Sequence, residues 1–274
     1  MPSVNTNYGA LVALQNLTKT QSDLAIVQNQ INTGLKVSSA KDDGAVYAIT
    51  QQARGNVAGY AVATDTVNKA VSTLDVAISA GNSISNLLTQ LKTQATAATD
   101  PSLTASQLAD YNANFTRIRD EISNIVNNAN FNGANLISAA GTNATAFADS
   151  TGTAQITVTA ASLALSGTIN TITTTDTVDT LANAQLSLTH VNATITALNQ
   201  QLASFGAASQ ALSVHKTFLT SISDSLTAGI GNLVDADLAK ASAQLSSLQV
   251  KQQLGAQALS IANSSSSILL KFFQ

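Results

Sequence analysis

Residues 104–130 read TASQLADYNANFTRIRDEISNIVNNAN. Positions taken alternately three and four residues apart in this stretch are all apolar: Leu108, Tyr111, Phe115, Ile118, Ile122 and Ile125. That spacing places the apolar side chains along one side of a helix and is typical of a coiled-coil seam. Thr104 and Gln107 have the spacing of a capping box, so we expect a helix that begins near residue 104.

The same apolar spacing recurs on both sides of this stretch. Upstream, a seam runs from Tyr60 to Leu88, and downstream a longer one runs from Leu181 to Leu226. The chain contains only two prolines, at positions 2 and 101, so long uninterrupted helices are permitted. We therefore expect three long helices packed into a rod-shaped bundle.

Both ends of the chain repeat the pattern more weakly. An amphipathic helix gains most of its stability from packing, so we expect the two ends to pack on each other and on neighbouring copies of the chain. The residues that we assign to these polymerisation coils are Leu11, Leu17, Leu24, Val27, Ile31, Leu238, Leu245, Leu248, Leu259 and Leu269.

The segment 138–179 has a different composition, which is rich in Gly, Thr and Ala. Strand-like alternation at residues 154–159 and 168–172, flanked by glycines, predicts small hairpins. The expected fold is mainly α: a long antiparallel coiled-coil and helical-bundle rod made from paired N- and C-terminal segments, with a small β-hairpin outer insertion. The expected domains are a terminal coiled-coil inner layer (1–43 with 233–274), a rod-like helical bundle (44–137 with 180–232) and a surface-exposed insertion (138–179).

Composition favours a self-assembling subunit. Charged residues make up 10% of the chain, against roughly 25% in an average soluble domain, and a surface with so little charge is poorly suited to keeping copies apart. The 12 basic and 15 acidic residues form no basic stripe, which disfavours nucleic acid as a partner. No apolar run is long enough to predict membrane insertion. Residues 1–8 lack the features of a cleavable signal peptide, so we expect any export to use another route.

Nothing in the sequence predicts catalytic, cofactor-binding or metal-binding residues. The two histidines, His190 and His215, lack an H-E-x-x-H context, and no G-x-S-x-G elbow or phosphate-binding loop occurs. The chain has no Cys, which excludes disulfides and thiolate zinc sites. The Lys41-Asp42-Asp43 run could bind an ion, but carboxylates just before a helix near Gly44 are better explained as N-caps.

Five segments in order along the chain resemble the bacterial flagellin family. They are Val4 to Asn7, the segment Thr33 to Asp43, the triplet Phe131-Asn132-Gly133, the run Asp235 to Ala239, and Gln252 to Asn263. The residues that carry the most distinctive landmarks are Gly34, Leu35, Ala40, Lys41, Asp42, Asp43, Phe131, Asn132 and Gly133. The resemblance covers roughly residues 1–137 and 180–274. One departure is Ser264 to Ser267, where many members have Gln-Ala-Pro after the Asn.

The resemblance implies a structural subunit that polymerises into the extracellular flagellar filament and serves motility. It implies that the partners are further copies of the chain or paralogous flagellins, the flagellar export apparatus with its chaperone, the filament cap and the hook-junction proteins. An alternative within the same architecture is a hook-filament junction protein. Another alternative is an adhesin or a coiled-coil component of a different secretion system.

Overall fold

The computed structural model describes residues 6–271, with side-chain surroundings for residues 6–264. Within them the chain forms five helices and one two-stranded antiparallel sheet, so the mainly α fold with a small β-hairpin is confirmed. The elements in chain order are α1 (Tyr8–Thr33), α2 (Gly44–Ala97), α3 (Ala105–Asn128), β1 (Ala144–Phe147), β2 (Gln155–Val158), α4 (Leu181–Val234) and α5 (Leu238–Lys271).

The chain divides into two compact units. The terminal unit comprises Met1–Gly55 and Ser225–Gln274, and the central unit comprises Asn56–Asp224. The terminal unit therefore combines both ends of the chain, whereas the central unit is one continuous stretch.

The helix starts follow the predicted capping chemistry. The Thr104 hydroxyl accepts a hydrogen bond from the backbone N–H of Gln107 at 3.3 Å, and the Gln107 side chain accepts one from the Thr104 N–H at 2.9 Å. The predicted capping box at α3 is thus confirmed. At the start of α2, the Asp43 carboxylate accepts hydrogen bonds from the N–H groups of Ala45 and Val46, both at 3.0 Å. Each cap satisfies amides that have no partner inside the helix.

The core of the central unit is built from α2, α3, α4 and the segment between α3 and α4. Phe115 of α3 and Phe205 of α4 are its largest fully buried side chains. A glycine lets α2 and α4 approach closely, because a Cβ atom on Gly81 would lie 2.6 Å from Cδ2 of Leu202. The predicted seams therefore do meet inside one core.

The segment 138–179 joins this core through buried apolar side chains, among them Leu163 and Ile172. The strand expected at residues 154–159 is confirmed as β2, which pairs with β1 in the register Ala144↔Val158. The strand expected at residues 168–172 is wrong. Asn170 turns the backbone there: its side chain donates to the Leu163 carbonyl at 3.0 Å and accepts from the Ile172 N–H at 3.1 Å. Local hydrogen bonds of this kind compete with the main-chain hydrogen bonds of a β-sheet, so no strand forms here.

In the terminal unit, α1 packs against α5. The connections at the same end also pair, through an isolated antiparallel bridge between Leu35 and Asp235. The Lys36 N–H donates to the Val234 carbonyl at 2.7 Å, and the Ala236 N–H donates to the Gly34 carbonyl at 2.8 Å. The end of α1 and the start of α5 are therefore held together by main-chain hydrogen bonds.

Candidate polymerisation surface

The two terminal helices run antiparallel along a seam of small and aliphatic residues. Near the far end from the bridge, the Asn7 side chain donates to the Ala262 carbonyl at 2.7 Å while its oxygen caps α1 by accepting from the Ala10 N–H. Farther along, a Cβ on Gly255 would lie 3.3 Å from Cδ1 of Leu17, so the glycine allows the two helices to approach closely. Packing of this kind between two amphipathic helices supplies stability that neither helix has alone.

Most of the predicted coil residues lie on this seam. Val27 is buried, with 7% of its surface exposed. The half-buried members are Leu17, Leu24, Ile31, Leu245, Leu248 and Leu259. Leu269 lies outside the residues whose side-chain surroundings are described. These positions, together with the buried Ala241, follow the alternating steps of three and four that the sequence predicts.

Leu11 and Leu238 lie elsewhere, on exposed faces of their helices. On α1 the seam continues from Leu17 through Ala13 and Ala10, which are half-buried, rather than through Leu11. Leu11 is reached from Leu17 by two successive steps of three residues, which turn away from a seam that repeats every 3.5 residues, so Leu11 points outward. Leu238 is in step with Ala241 and Leu245, but it is the first residue of α5.

Large apolar side chains remain uncovered on the outer faces of both terminal helices. On α5, Val250, Leu254 and Ile261 recur at i, i+4 and i+11, which places them on one stripe, and Leu254 is 61% exposed. On α1, Leu11 is 64% exposed. The other exposed members on α1 are Tyr8, Val12, Leu14 and Ile26. Apolar surface on this scale is typical of a face that another molecule covers.

The α5 stripe is not among the residues that we assigned from the sequence. Its members lie on a different face of α5 from the seam. The leucine spacing of the seam is the stronger pattern, and it marks the face of α5 that α1 covers. A second apolar period on the same helix was the available signal, since a helix that packs on one side only is usually polar on its other faces.

The landmark between α1 and α2 is a capping loop. Gly34 ends α1 with a φ of 72°, a left-handed conformation that favours glycine, and the Lys36 ammonium donates to the Asn232 carbonyl at 3.1 Å. The Asp42 carboxylate accepts from the Ser38 hydroxyl and from the N–H groups of Ser38 and Ser39. The Ser38 hydroxyl, followed by the two N–H groups, lowers the pKa of Asp42 below its ordinary value. Ala40 and Lys41 are exposed on this loop.

The second landmark is a tight turn just after α3. Phe131 and Ala134 exchange both main-chain hydrogen bonds, each at 2.9 Å. Between them Asn132 has a φ of 49° and Gly133 a φ of 82°. Two left-handed residues inside a two-residue loop define a type I′ turn, for which Asn-Gly is the preferred sequence. The Asn132 and Gly133 positions are exposed, whereas Phe131 is half-buried.

A polar network ties the end of segment 138–179 to the helices of the central unit. Asp176 is buried, and its carboxylate lies 2.7 Å from Nδ1 of His190 on α4. Its carbonyl oxygen accepts a hydrogen bond from the buried Arg119 guanidinium of α3 at 2.9 Å. Burial acts to raise the pKa of Asp176, but the hydrogen bonds from His190 and Thr173 outweigh it, so the pKa lies below its ordinary value. The sequence did not single out this network.

The other titratable groups of the described residues form no arrangement suited to metal binding. Among residues 6–271 no cluster of three or more His, Asp or Glu side chains could hold a metal ion. His215 packs near Phe218, with ring centroids 6.0 Å apart. Nor does any of the described helices have the length and apolar character needed to cross a membrane.

Comparison with known proteins identifies the family. Residues 4–143 match the model of the bacterial flagellin N-terminal helical region, and residues 188–273 match that of the C-terminal helical region. Flagellin FljK of Caulobacter vibrioides is 44% identical over 272 residues, which cover 99% of this chain and 98% of that protein. A flagellin of Brucella melitensis is 34% identical over the whole of both chains. The crystal structure of Bacillus cereus flagellin matches 56% of this chain and 88% of that one, with 23% identity and a TM-score of 0.49.

Two terminal helices that pair with each other and leave large apolar side chains exposed on their outer faces are typical of a subunit that associates with further copies. The chain belongs to the bacterial flagellins. It is a structural subunit that polymerises into the extracellular flagellar filament.

Proposed function

We propose that the outer apolar faces of α1 and α5 are the surfaces through which this subunit joins its neighbours in the filament. The observation that carries the proposal is the stripe of Val250, Leu254 and Ile261, which the terminal unit leaves uncovered although α1 and α5 already cover their facing seam. Burial of apolar surface is favourable by about 25 cal/mol per Å². A face repeated in every subunit would gain this energy at each contact.

This surface implies a position in the filament for each part of the chain. The segments 1–43 and 233–274 would form the inner coiled-coil layer, and the bundle of 44–137 with 180–232 would form a second layer around it. The segment 138–179 would lie outermost, where its exposed Thr and Ala side chains meet solvent. The low charge of the chain supports an assembly that relies on apolar burial more than on ion pairs.

The remaining partners are those that the family resemblance implies. The subunit would pass through the flagellar export apparatus with a chaperone. It would then assemble beneath the filament cap and beyond the hook-junction proteins. Its role would be structural, with no enzymatic activity. A junction protein is the less favoured alternative, because the relatives that match this chain end to end are flagellins.

Seeded elongation tests the proposed driving force. Purified subunits are mixed with sheared filament fragments, and growth is followed by light scattering and negative-stain electron microscopy. Sulfate strengthens apolar burial because it is excluded from protein surfaces, so elongation should accelerate as sulfate rises. Chloride at matched ionic strength is the control for charge screening. Filaments that dissolve steadily as sulfate rises would show that ion pairs hold the subunits together.

A further inference from the structure

We propose that Asn132 is the principal site of spontaneous deamidation in this chain, and that the folded turn holds the reaction back until the turn opens. Asn132 is the only asparagine in the 274 residues that is followed by glycine. Its position is exposed, and no hydrogen bond joins its side-chain amide to another described residue. The site plays no part in the proposed polymerisation surface.

The chemistry needs only the chain and water. The main-chain nitrogen of Gly133 attacks Cγ of Asn132, a nitrogen–carbon bond forms, and the side-chain nitrogen leaves as ammonia. Water then opens the resulting succinimide at either carbonyl, which yields aspartate or isoaspartate. Glycine is the most permissive following residue because it has no side chain to hinder the attacking nitrogen.

The folded turn keeps the Gly133 nitrogen away from the side-chain carbon Cγ of Asn132. In a type I′ turn the ψ of the first central residue is about +30°. That value sets the Gly133 nitrogen on the far side of the Cα–C bond from the Asn132 side chain. Attack requires a large rotation about this bond, which would break the two hydrogen bonds between Phe131 and Ala134.

Neighbouring contacts reinforce the closed turn. The Asn135 side chain donates to the Val126 carbonyl at 2.7 Å near the end of α3, and its oxygen accepts from the N–H groups of Ile137 and Ser138. Phe131 is half-buried beside the turn. These contacts hold the residues on both sides of the turn in place. The rate of deamidation at Asn132 should therefore measure how often the turn opens.

The product changes the surface of the subunit. Either product adds one negative charge at an exposed position. Isoaspartate also inserts a methylene group into the main chain, which is incompatible with the two-residue turn. Aspartate, in contrast, tolerates a left-handed backbone and would keep the turn.

The test compares the native full-length chain with the same chain unfolded in urea, both held at mildly alkaline pH, where loss of the attacking amide proton is favoured. Peptide mapping by mass spectrometry follows the exchange of ammonia for water at each asparagine, and an isoaspartate methyltransferase assay measures the isoaspartate product. We expect residue 132 to react first in the unfolded chain and to react at least about tenfold more slowly in the native chain, which corresponds to about 1.4 kcal/mol for opening the turn.

A variant measured only in urea separates the chemistry from folding. Gly133→Ala should slow the reaction at residue 132 several-fold in the unfolded chain, because the added methyl group hinders the nitrogen. Equal rates in native and unfolded chains would overturn the protective role of the turn. Another asparagine reacting first in urea, or an unchanged rate in Gly133→Ala, would overturn the assignment of the site.

Discussion

The carbonyl oxygen of Ser150 lies against Gly59 of α2, at a point where a Cβ atom would come within 2.1 Å of it. Ser150 belongs to the connection between β1 and β2, and the same hairpin is tied to α2 by a hydrogen bond from the Phe147 N–H to the Thr66 hydroxyl at 2.9 Å. The hairpin is thus docked along the helix. The close approach is possible only because residue 59 has no side chain.

Replacing this glycine should therefore undock the hairpin. We expect Gly59→Ala to lower the free energy of unfolding by about 1–3 kcal/mol, since backbone must shift to admit the methyl group. The matched control is Gly206→Ala, because Gly206 lies in α4 with open space around its Cα. That change should be neutral or should raise the free energy of unfolding by about 0.5–1 kcal/mol through helix propensity. Urea unfolding followed by circular dichroism measures both, and equal effects of the two substitutions would contradict the docking argument.

The helices could be predicted from the sequence because their signals are local. The capping box at Thr104 and the apolar period that leads to Phe115 both act within a few turns of one helix. The docking of the hairpin could not be predicted in this way. The contact between Gly59 and Ser150 joins residues far apart in the chain, and a glycine inside a helix pattern gives no sign of what approaches it.

The hairpin tip also carries a carboxylate with a strongly lowered pKa. The Asp149 side chain accepts hydrogen bonds from the hydroxyls of Thr151 and Thr153 at 2.7 and 2.8 Å. The Thr151 hydroxyl, followed by the Thr153 hydroxyl, lowers the pKa of Asp149 to about 2. A carboxylate whose pKa is lower in the folded chain stabilises the fold above its unfolded pKa, and this contribution is lost as pH falls through the folded value.

We therefore expect carboxyl NMR to show Asp149 titrating near pH 2 in the folded chain. The contribution of these hydrogen bonds to stability should decline as pH falls from the ordinary aspartate pKa of 3.8 to about 2. Thr151→Val, which removes the leading donor while keeping the side-chain shape, should move the titration upward. A titration of Asp149 at the ordinary value in the unsubstituted chain would show that these hydroxyls do not hold the carboxylate.

Removal of the buried carboxylate at Asp176 should destabilise the central unit more than removal of an exposed one. Asp176→Ala removes the partner of the partly buried His190 ring and Thr173 N–H, and the loss of such a hydrogen bond costs about 0.5–1.5 kcal/mol each. Asp110→Ala on the exposed face of α3 is the control, with an expected change within about 0.5 kcal/mol. The free energy of unfolding in urea and hydrogen exchange over residues 170–178 are the measurements. Unchanged exchange in Asp176→Ala would mean that the network does not hold this segment.

The assembly surface was only partly accessible to sequence reasoning. Leu245 and Leu248 follow a heptad step that predicts a helix interface, and both are half-buried on α5. The sequence could not tell which apolar residues the chain covers by itself and which it leaves for a neighbour. Leu254 and Leu248 are the same residue type, but Leu254 is exposed and Leu248 is half-buried. The exposure of each leucine depends on which helix packs against its face of α5.

That difference gives a direct test of the proposed polymerisation surface. Leu254 is 61% exposed on the outer stripe of α5, so Leu254→Asp should leave the thermal melt of the monomer unchanged. In a filament that covers this stripe, the same substitution buries an unpaired charge in every subunit, at a cost of several kcal/mol each. Seeded elongation should then be abolished.

Leu248→Asp is the matched substitution on the inner side of the same helix. Leu248 is half-buried and lines the same groove between α1 and α5 as the buried Val27, so its replacement by a charge should loosen the α1–α5 pair in the monomer itself. Hydrogen exchange of the α1 amides should rise in Leu248→Asp and remain at the unsubstituted level in Leu254→Asp. Elongation should fail in both variants, but only the inner substitution should change the monomer. Normal elongation of Leu254→Asp would mean that no neighbouring subunit covers the stripe, and the proposed surface would have to be abandoned.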